Sequence, residues 1–237
     1  MLREIAKGTM VRIVAGILAL LIFVPTGVNA QSDTNEKYPN MAPIDEYLMN
    51  RDAEIALARS AAPASISDGA TVMVLGRQGY STAVPGTNGF LCYVERSWAK
   101  STSAPDFWNP KMRAPNCFNQ AAAKSVGQAY LMKTRLVLEG KSKAEINQSI
   151  AAALDSGELP ALPPGGMCYM MSKEQYLNDQ AKNWHPHVMF YVKGDVPKSW
   201  GANLDGSPMI AVYSADARAT IFMVVVSHWS DGTLGPS

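Results

Sequence analysis

The chain has 237 residues, with 21 Lys and Arg against 20 Asp and Glu, 47% hydrophobic and 17% charged residues, and only three Cys and three His. That is enough chain to bury a sizeable core and too apolar for disorder, and it lacks the composition of a collagen-like or disulfide-dense protein. A net charge of +1 without a basic block also argues against nucleic acid as a partner, because phosphate binding needs clustered Lys and Arg.

The first thirty residues read as an export address. Arg3, Lys7 and Arg12 precede an uncharged apolar run from Ile13 to Val24. As a helix that run rises roughly 18 Å, well short of the roughly 30 Å hydrocarbon core of a bilayer. Pro25 and Gly27 break it, and Val28-Asn29-Ala30 supplies the small residues of a cleavage site. Residues 1–30 are therefore expected to be a signal peptide cut after Ala30. The remainder is slightly acidic, periplasmic or extracellular, and has no stable membrane anchor. Residues 31–42 read as a flexible leader and 43–237 as a single domain.

Pro43 with Asp45 and Glu46 signals a helix start, and that helix should end before Pro63. The period then changes to strands at Thr71–Gly76, Tyr80–Val84 and Phe90–Glu95, which read as an antiparallel meander. Ser97–Cys117 has no period and reads as a long loop. Asn119 can cap a helix that runs to Gly140, and Ser142-Lys143-Ala144-Glu145 is a capping box opening a second helix that Gly157 stops. The two form an αα-hairpin. Strands return at Met167–Met171, His187–Val192, Met209–Tyr213 and Thr220–His228. Strands at both ends with helices between predict an α+β fold. Its mostly antiparallel sheet would have about six or seven strands, with the N-terminal helix and the central αα-hairpin packed on one face.

In an oxidising compartment three cysteines cannot all pair within one chain. A Cys92–Cys117 bridge would close a loop of about 26 residues and stabilise by about 3.5 kcal/mol. Spacing alone does not choose among Cys92, Cys117 and Cys168.

The candidate chemistry lies late in the chain. An extended Trp184-His185-Pro186-His187 puts both imidazoles on one face, about 6.6 Å apart at Cα. His228 closes an apolar strand. Were it a neighbour of His187–Val192, about 4.8 Å away, His185, His187 and His228 would be a zinc ligand set for a hydrolase. The bland alternative is a His pair bonded to backbone at a strand end. Cys168 with His187 is a candidate nucleophile and base, although the Met and Tyr residues around Cys168 argue for a buried thiol. Glu95 and Arg96 end a strand beside the long loop and read equally well as a solvated pair worth under about 1 kcal/mol.

The aromatics suggest binding. Trp98, Trp108, Trp184 and Trp229 fall in predicted loops or at strand ends. With His185 and His187 they form a candidate site for a small molecule or cell-envelope component. Against it stands the reading that these Trp pin loops onto the sheet, and a third option is a structural or partner-binding module without a pocket. No common cofactor motif is present.

The stretches Asn88-Gly89-Phe90-Leu91-Cys92-Tyr93-Val94-Glu95-Arg96 and His185-Pro186-His187-Val188-Met189-Phe190-Tyr191 resemble segments of an uncharacterised family of exported bacterial proteins. The resemblance implies a bacterial envelope origin and supplies no activity.

Overall fold

The computed structural model describes residues 37–215 and 217–236, so the expected signal peptide and the start of the leader lie outside the described residues. The first helical stretch is broken in two. A 3-10 turn, Ile44–Glu46, precedes α1, Arg51–Arg59. The break is set by Asn50, whose side chain accepts from the amides of Asp52 and Ala53 and so restarts the helix at its own position. Its inward face carries Glu54, Leu57 and Ala58 at helical spacing. A single turn, α2 (Ala64–Ser67), leads into the sheet.

The strands are β1 (Thr71–Gly76), β2 (Gly79–Val84), β3 (Leu91–Glu95), β4 (Ala114–Phe118), β5 (Met167–Met170), β6 (His187–Lys193), β7 (Met209–Ser214) and β8 (Ala219–Val225). They form one sheet in the order β2-β1-β3-β4-β5-β6-β8-β7. The α+β class stands, with two corrections to the sheet. It has eight strands, because β4 lies inside the segment expected to be a loop. Pro115 and Asn116 disguise it as a turn, yet it pairs with β3 from Leu91↔Phe118 to Glu95↔Ala114. The sheet is also mixed: β3 runs parallel to β1, with Thr71 opposite Leu91, so the first three strands are not a meander. The hairpin strand β2 acts as the crossover. The chain then passes the start of β1 so closely that a Cβ on Gly86 would lie 2.1 Å from the Thr71 amide nitrogen.

Helices flank both faces, not one. Residues that alternate along a strand face opposite ways. Cys92, Val94 and Cys117 therefore pack with Leu57 and Ala58 of α1, while Tyr93, Phe118 and Cys168 belong to the core on the other side. That second face is covered by α4 (Val126–Leu138) and α5 (Lys143–Ser156), whose Tyr130, Val137, Ile146 and Ile150 are buried. The expected single helix from Asn119 splits, because Asn119 caps only a short α3 (Gln120–Ala123) before the chain turns at Ser125 into α4. The capping box is present, with Ser142 Oγ accepting from the Glu145 amide and the Glu145 carboxylate accepting from the Ser142 amide. Gly157 closes α5 in the left-handed region. Residues expected in the leader also join this core, since Tyr38, Met41 and Ala42 pack against it.

Cys92 and Cys117 sit directly opposite each other in the β3–β4 register and are disulfide-bonded, and Cys168 is a buried free thiol. Arg96 and Glu54 are both fully buried, which overturns the reading of Arg96 as half of a solvated pair. The Arg96 guanidinium donates to Glu54 Oε1 at 2.9 Å and to the carbonyls of Tyr47 (2.7 Å) and Val94. Glu54 Oε1 also accepts from the Leu75 amide of β1 at 3.1 Å, and the Arg96 amide donates to Tyr130 of α4 at 2.7 Å. Removing one partner leaves a bare buried charge. Arg96→Met alone is expected to cost about 3–5 kcal/mol in urea unfolding, while Glu54→Leu combined with Arg96→Met recovers most of that loss. Additive single and double changes would show that the two do not act as a pair.

Candidate functional site

The tryptophans do not line a site together. Trp98 is fully buried and donates through Nε1 to Thr134 Oγ1 of α4 at 2.9 Å. Trp108 is buried edge-on to Phe107 and its carbonyl accepts from Tyr47 at 2.8 Å. Trp229 is also buried. These three pin loops onto the core, because an indole in an aperiodic segment gains more by burial than by display.

Trp184 is half-buried, with its ring 4.7 Å from that of His187 and 5.7 Å from that of His185. His187 is buried, its Nδ1 lies 2.8 Å from the His185 carbonyl, and burial lowers its pKa. Strands β6 and β8 are neighbours, with His187 opposite Val225, but exposed His228 lies beyond the end of β8 and its Nδ1 meets Ser227 Oγ at 2.8 Å. Among the described residues no group of three or more His, Cys, Asp or Glu is placed to hold a metal ion, and His185, His187 and His228 are not assembled into one. The zinc reading draws no support from this geometry.

A different place collects chemistry. Between the α4–α5 face of the sheet and those helices lies a cleft of about 430 Å³, within the range of roughly 300–1,000 Å³ common for small-molecule sites. Ala129 and Ile150 line it from the helices, and Met189, Val212 and Ile221 from the sheet. Glu95, Lys100, Tyr130 and Lys133 add a polar cluster to the lining. A second cleft of about 480 Å³ lies along another face of α4, lined by Gln78, Gln128, Leu131, Met132 and Arg135, where Arg135 is exposed and pairs loosely with Glu139. The acid in its lining, Glu158, is exposed.

The alternation Leu91-Tyr93-Glu95 turns Glu95 toward α4, while its neighbour Arg96 turns toward α1. Glu95 Oε2 accepts from Asn116 Nδ2 at 2.7 Å. Asn116 Oδ1 in turn accepts from the Cys168 thiol at 3.3 Å, and the thiol sulfur lies 3.2 Å from the Tyr191 hydroxyl. The thiol is thus engaged in a buried polar chain with Asn116 and Tyr191, two residues along the β5–β6 register from His187, and burial pushes its pKa well up, which gives no support to Cys168 as a nucleophile. Burial also pushes the Glu95 carboxyl up to about 8, against the opposing pull of the Asn116 hydrogen bond and the Lys133 charge. Lys133 is buried in the middle of α4, donates to the Lys100 carbonyl at 2.9 Å and lies 5.5 Å from the centre of the Phe107 ring. A stack of rings backs the acid, with Tyr93 on Tyr130 at 5.4 Å and Tyr93 on Phe118 at 5.2 Å.

The sequence reading missed Asn116, Tyr130, Lys133 and Tyr191 as site residues. Two signals were available. Glu95 shares its strand face with core Tyr93, and Lys133 occupies a position inside the apolar stripe of Val126, Ala129, Tyr130 and Val137. A charged residue where the pattern demands an apolar one marks either an ion pair or a site.

No protein-family model, curated protein or solved structure matches this chain.

Because the folded-state pKa of Glu95 is raised, the unfolded chain releases this proton first. Its protonated form favours the fold below about pH 4.5, and that contribution is lost as pH rises toward about 8, beyond which it is flat. Urea titrations of the wild type and Glu95→Gln at several pH values should therefore show the variant gaining on the wild type across that window. The gain is at most about 1.4 kcal/mol per pH unit, and a constant difference between them would contradict the raised pKa.

Proposed function

We propose that this chain is an exported binding protein that holds a small amphipathic molecule in the cleft between the sheet and the α4–α5 hairpin. The observation that carries the reading is the cleft itself, with apolar walls at Ala129, Ile150, Met189, Val212 and Ile221 set against the polar cluster of Glu95, Lys100 and Lys133. Such a division suits a ligand with an apolar body and one polar head, since the walls reward area removed from water and the buried polar groups discriminate by hydrogen bonding. Delivery to the periplasm or exterior rests on the Met1–Ala30 pattern. The Cys92–Cys117 disulfide fits that compartment. Trp184, His185 and His187 do not line this cleft and have no role in this reading.

Val212 is 51% exposed on the outermost strand and forms the rim of the cleft, so a larger side chain there narrows the cleft without disturbing the core. A panel of small amphiphiles should raise the melting temperature of the wild type, and Val212→Trp should fold normally while losing that response. Equal responses from both proteins would place binding elsewhere.

A further inference from the structure

The strand register that keeps His187 away from His228 surrounds it with softer donors. His187 opens β6 directly opposite Met170 of β5, and Met189 follows two residues later, so all three side chains leave the same face of the sheet. Directly opposed side chains on antiparallel strands start roughly 4.5–5.5 Å apart at Cβ. Met170 and Met112 are buried in one cluster, and Met189 packs against it. The imidazole is buried, with Nδ1 2.8 Å from the His185 carbonyl. A carbonyl only accepts, so the proton sits on Nδ1 and Nε2 keeps its lone pair. Among the described residues Nε2 has no hydrogen-bond partner. An unpaired nitrogen on so deeply buried a side chain calls for an explanation. The Trp184 ring lies 4.7 Å from the imidazole and is half-buried, which puts this donor set at the margin of the core.

We infer that His187 Nε2 and the thioethers of Met170 and Met189, backed by Met112, form a binding site for a soft monovalent cation, copper(I) or silver(I). The donors are neutral and rich in sulfur. Thioethers select copper(I), whereas zinc calls for thiolate, carboxylate or several imidazoles, and no such group is assembled among the described residues. An imidazole whose other ring N–H is tied to a backbone carbonyl is the usual state of a metal-binding histidine, because that bond fixes both tautomer and aim. Unbranched methionine side chains can swing onto an ion without moving the strands that carry them. The π-electrons of Trp184 beside the imidazole suit a single positive charge. A divalent ion would bring twice that charge to the edge of the core with no anion to meet it. Cys168, opposite Met189, is the competing soft ligand. Its thiol is already engaged by Asn116 and Tyr191, and burial works against the thiolate a metal needs. The site stands apart from the cleft, with which it shares only Met189.

The test is calorimetric titration of the chain with silver(I), a redox-inert stand-in for copper(I), in chloride-free buffer. The wild type should bind one equivalent, and excess zinc should not compete. Met170→Leu and Met189→Leu conserve volume and so keep the fold, yet each should weaken silver binding at least about tenfold, as should His187→Asn. Cys168→Ser preserves the hydrogen bonds of the thiol and should bind silver as the wild type does. Silver affinity unchanged in any of the three ligand variants overturns the inference. So does binding lost in a natively folded Cys168→Ser protein, zinc binding as tightly as silver, or no silver binding at all. If His187→Asn or Cys168→Ser misfolds, the two methionine variants decide alone. The cleft reading is untouched by these outcomes and stands or falls with Val212→Trp.

Discussion

The Arg96–Glu54 ion pair is the constraint on which the arrangement of layers depends. Two charges withdrawn from water are tolerated only when almost every donor and acceptor is used. Here that requirement fixes four elements at once. Glu54 brings α1, Leu75 brings β1, Arg96 ends β3, and Tyr130 brings α4 through the sheet's opposite side. The carbonyl of Tyr47 draws in the turn before α1 as well. Glu54 Oε2 is buried without a hydrogen bond among the described residues, so the cluster is held by geometry on one oxygen and carries a cost on the other. An apolar contact of similar size would tolerate small shifts of α1 over the sheet. This one does not.

Adjacent residues on one strand meet opposite fates because the pleat sends them to opposite sides. Arg96 points toward α1 and finds a carboxylate already waiting. Glu95 points toward α4 and finds an amide, a ring stack and the edge of a cleft. The first acid–base encounter is a direct buried ion pair and serves the fold. The second leaves one oxygen of the acid open, in surroundings that favour its neutral form. A protein gains nothing in stability from a carboxyl kept in that condition, and this is the physical reason to look for its use outside folding.

Much of the architecture was legible in local chemistry. The Ser142–Glu145 box located the start of α5, and alternating apolar runs located seven strands. What was hidden depended on pairings distant in sequence. β4 contains Pro115, which lacks an N–H, and Asn116, a favoured turn residue, so its five residues look like a connection. They are a strand because β3 offers a register in which each side chain of Ala114–Phe118 is buried. The parallel pairing of β1 with β3 leaves no local mark, since the same alternation serves either direction. The coverage of both faces was equally invisible, because a half-buried and a fully buried strand differ only in what arrives from elsewhere. The site was misjudged for a related reason. Indoles in aperiodic segments resemble a binding rim until the elements that bury them are in place, whereas Glu95 and Lys133 break the apolar pattern of their own elements and were readable as exceptions.

The Cys92–Cys117 crosslink has a consequence beyond its contribution to stability. It joins strands whose next residues inward, Tyr93 and Asn116, face each other on the cleft side. A slip of one residue between these strands would swap their two sides and carry Asn116 away from Glu95. The covalent tie forbids that slip, so the partner of the acid is chosen by a bond made on the reverse of the sheet. The segment between the two cysteines is in effect a closed covalent ring, so the strand ends that carry Tyr93 and Asn116 stay aligned even where the exposed part of the intervening loop, around Ser101 and Ser103, changes.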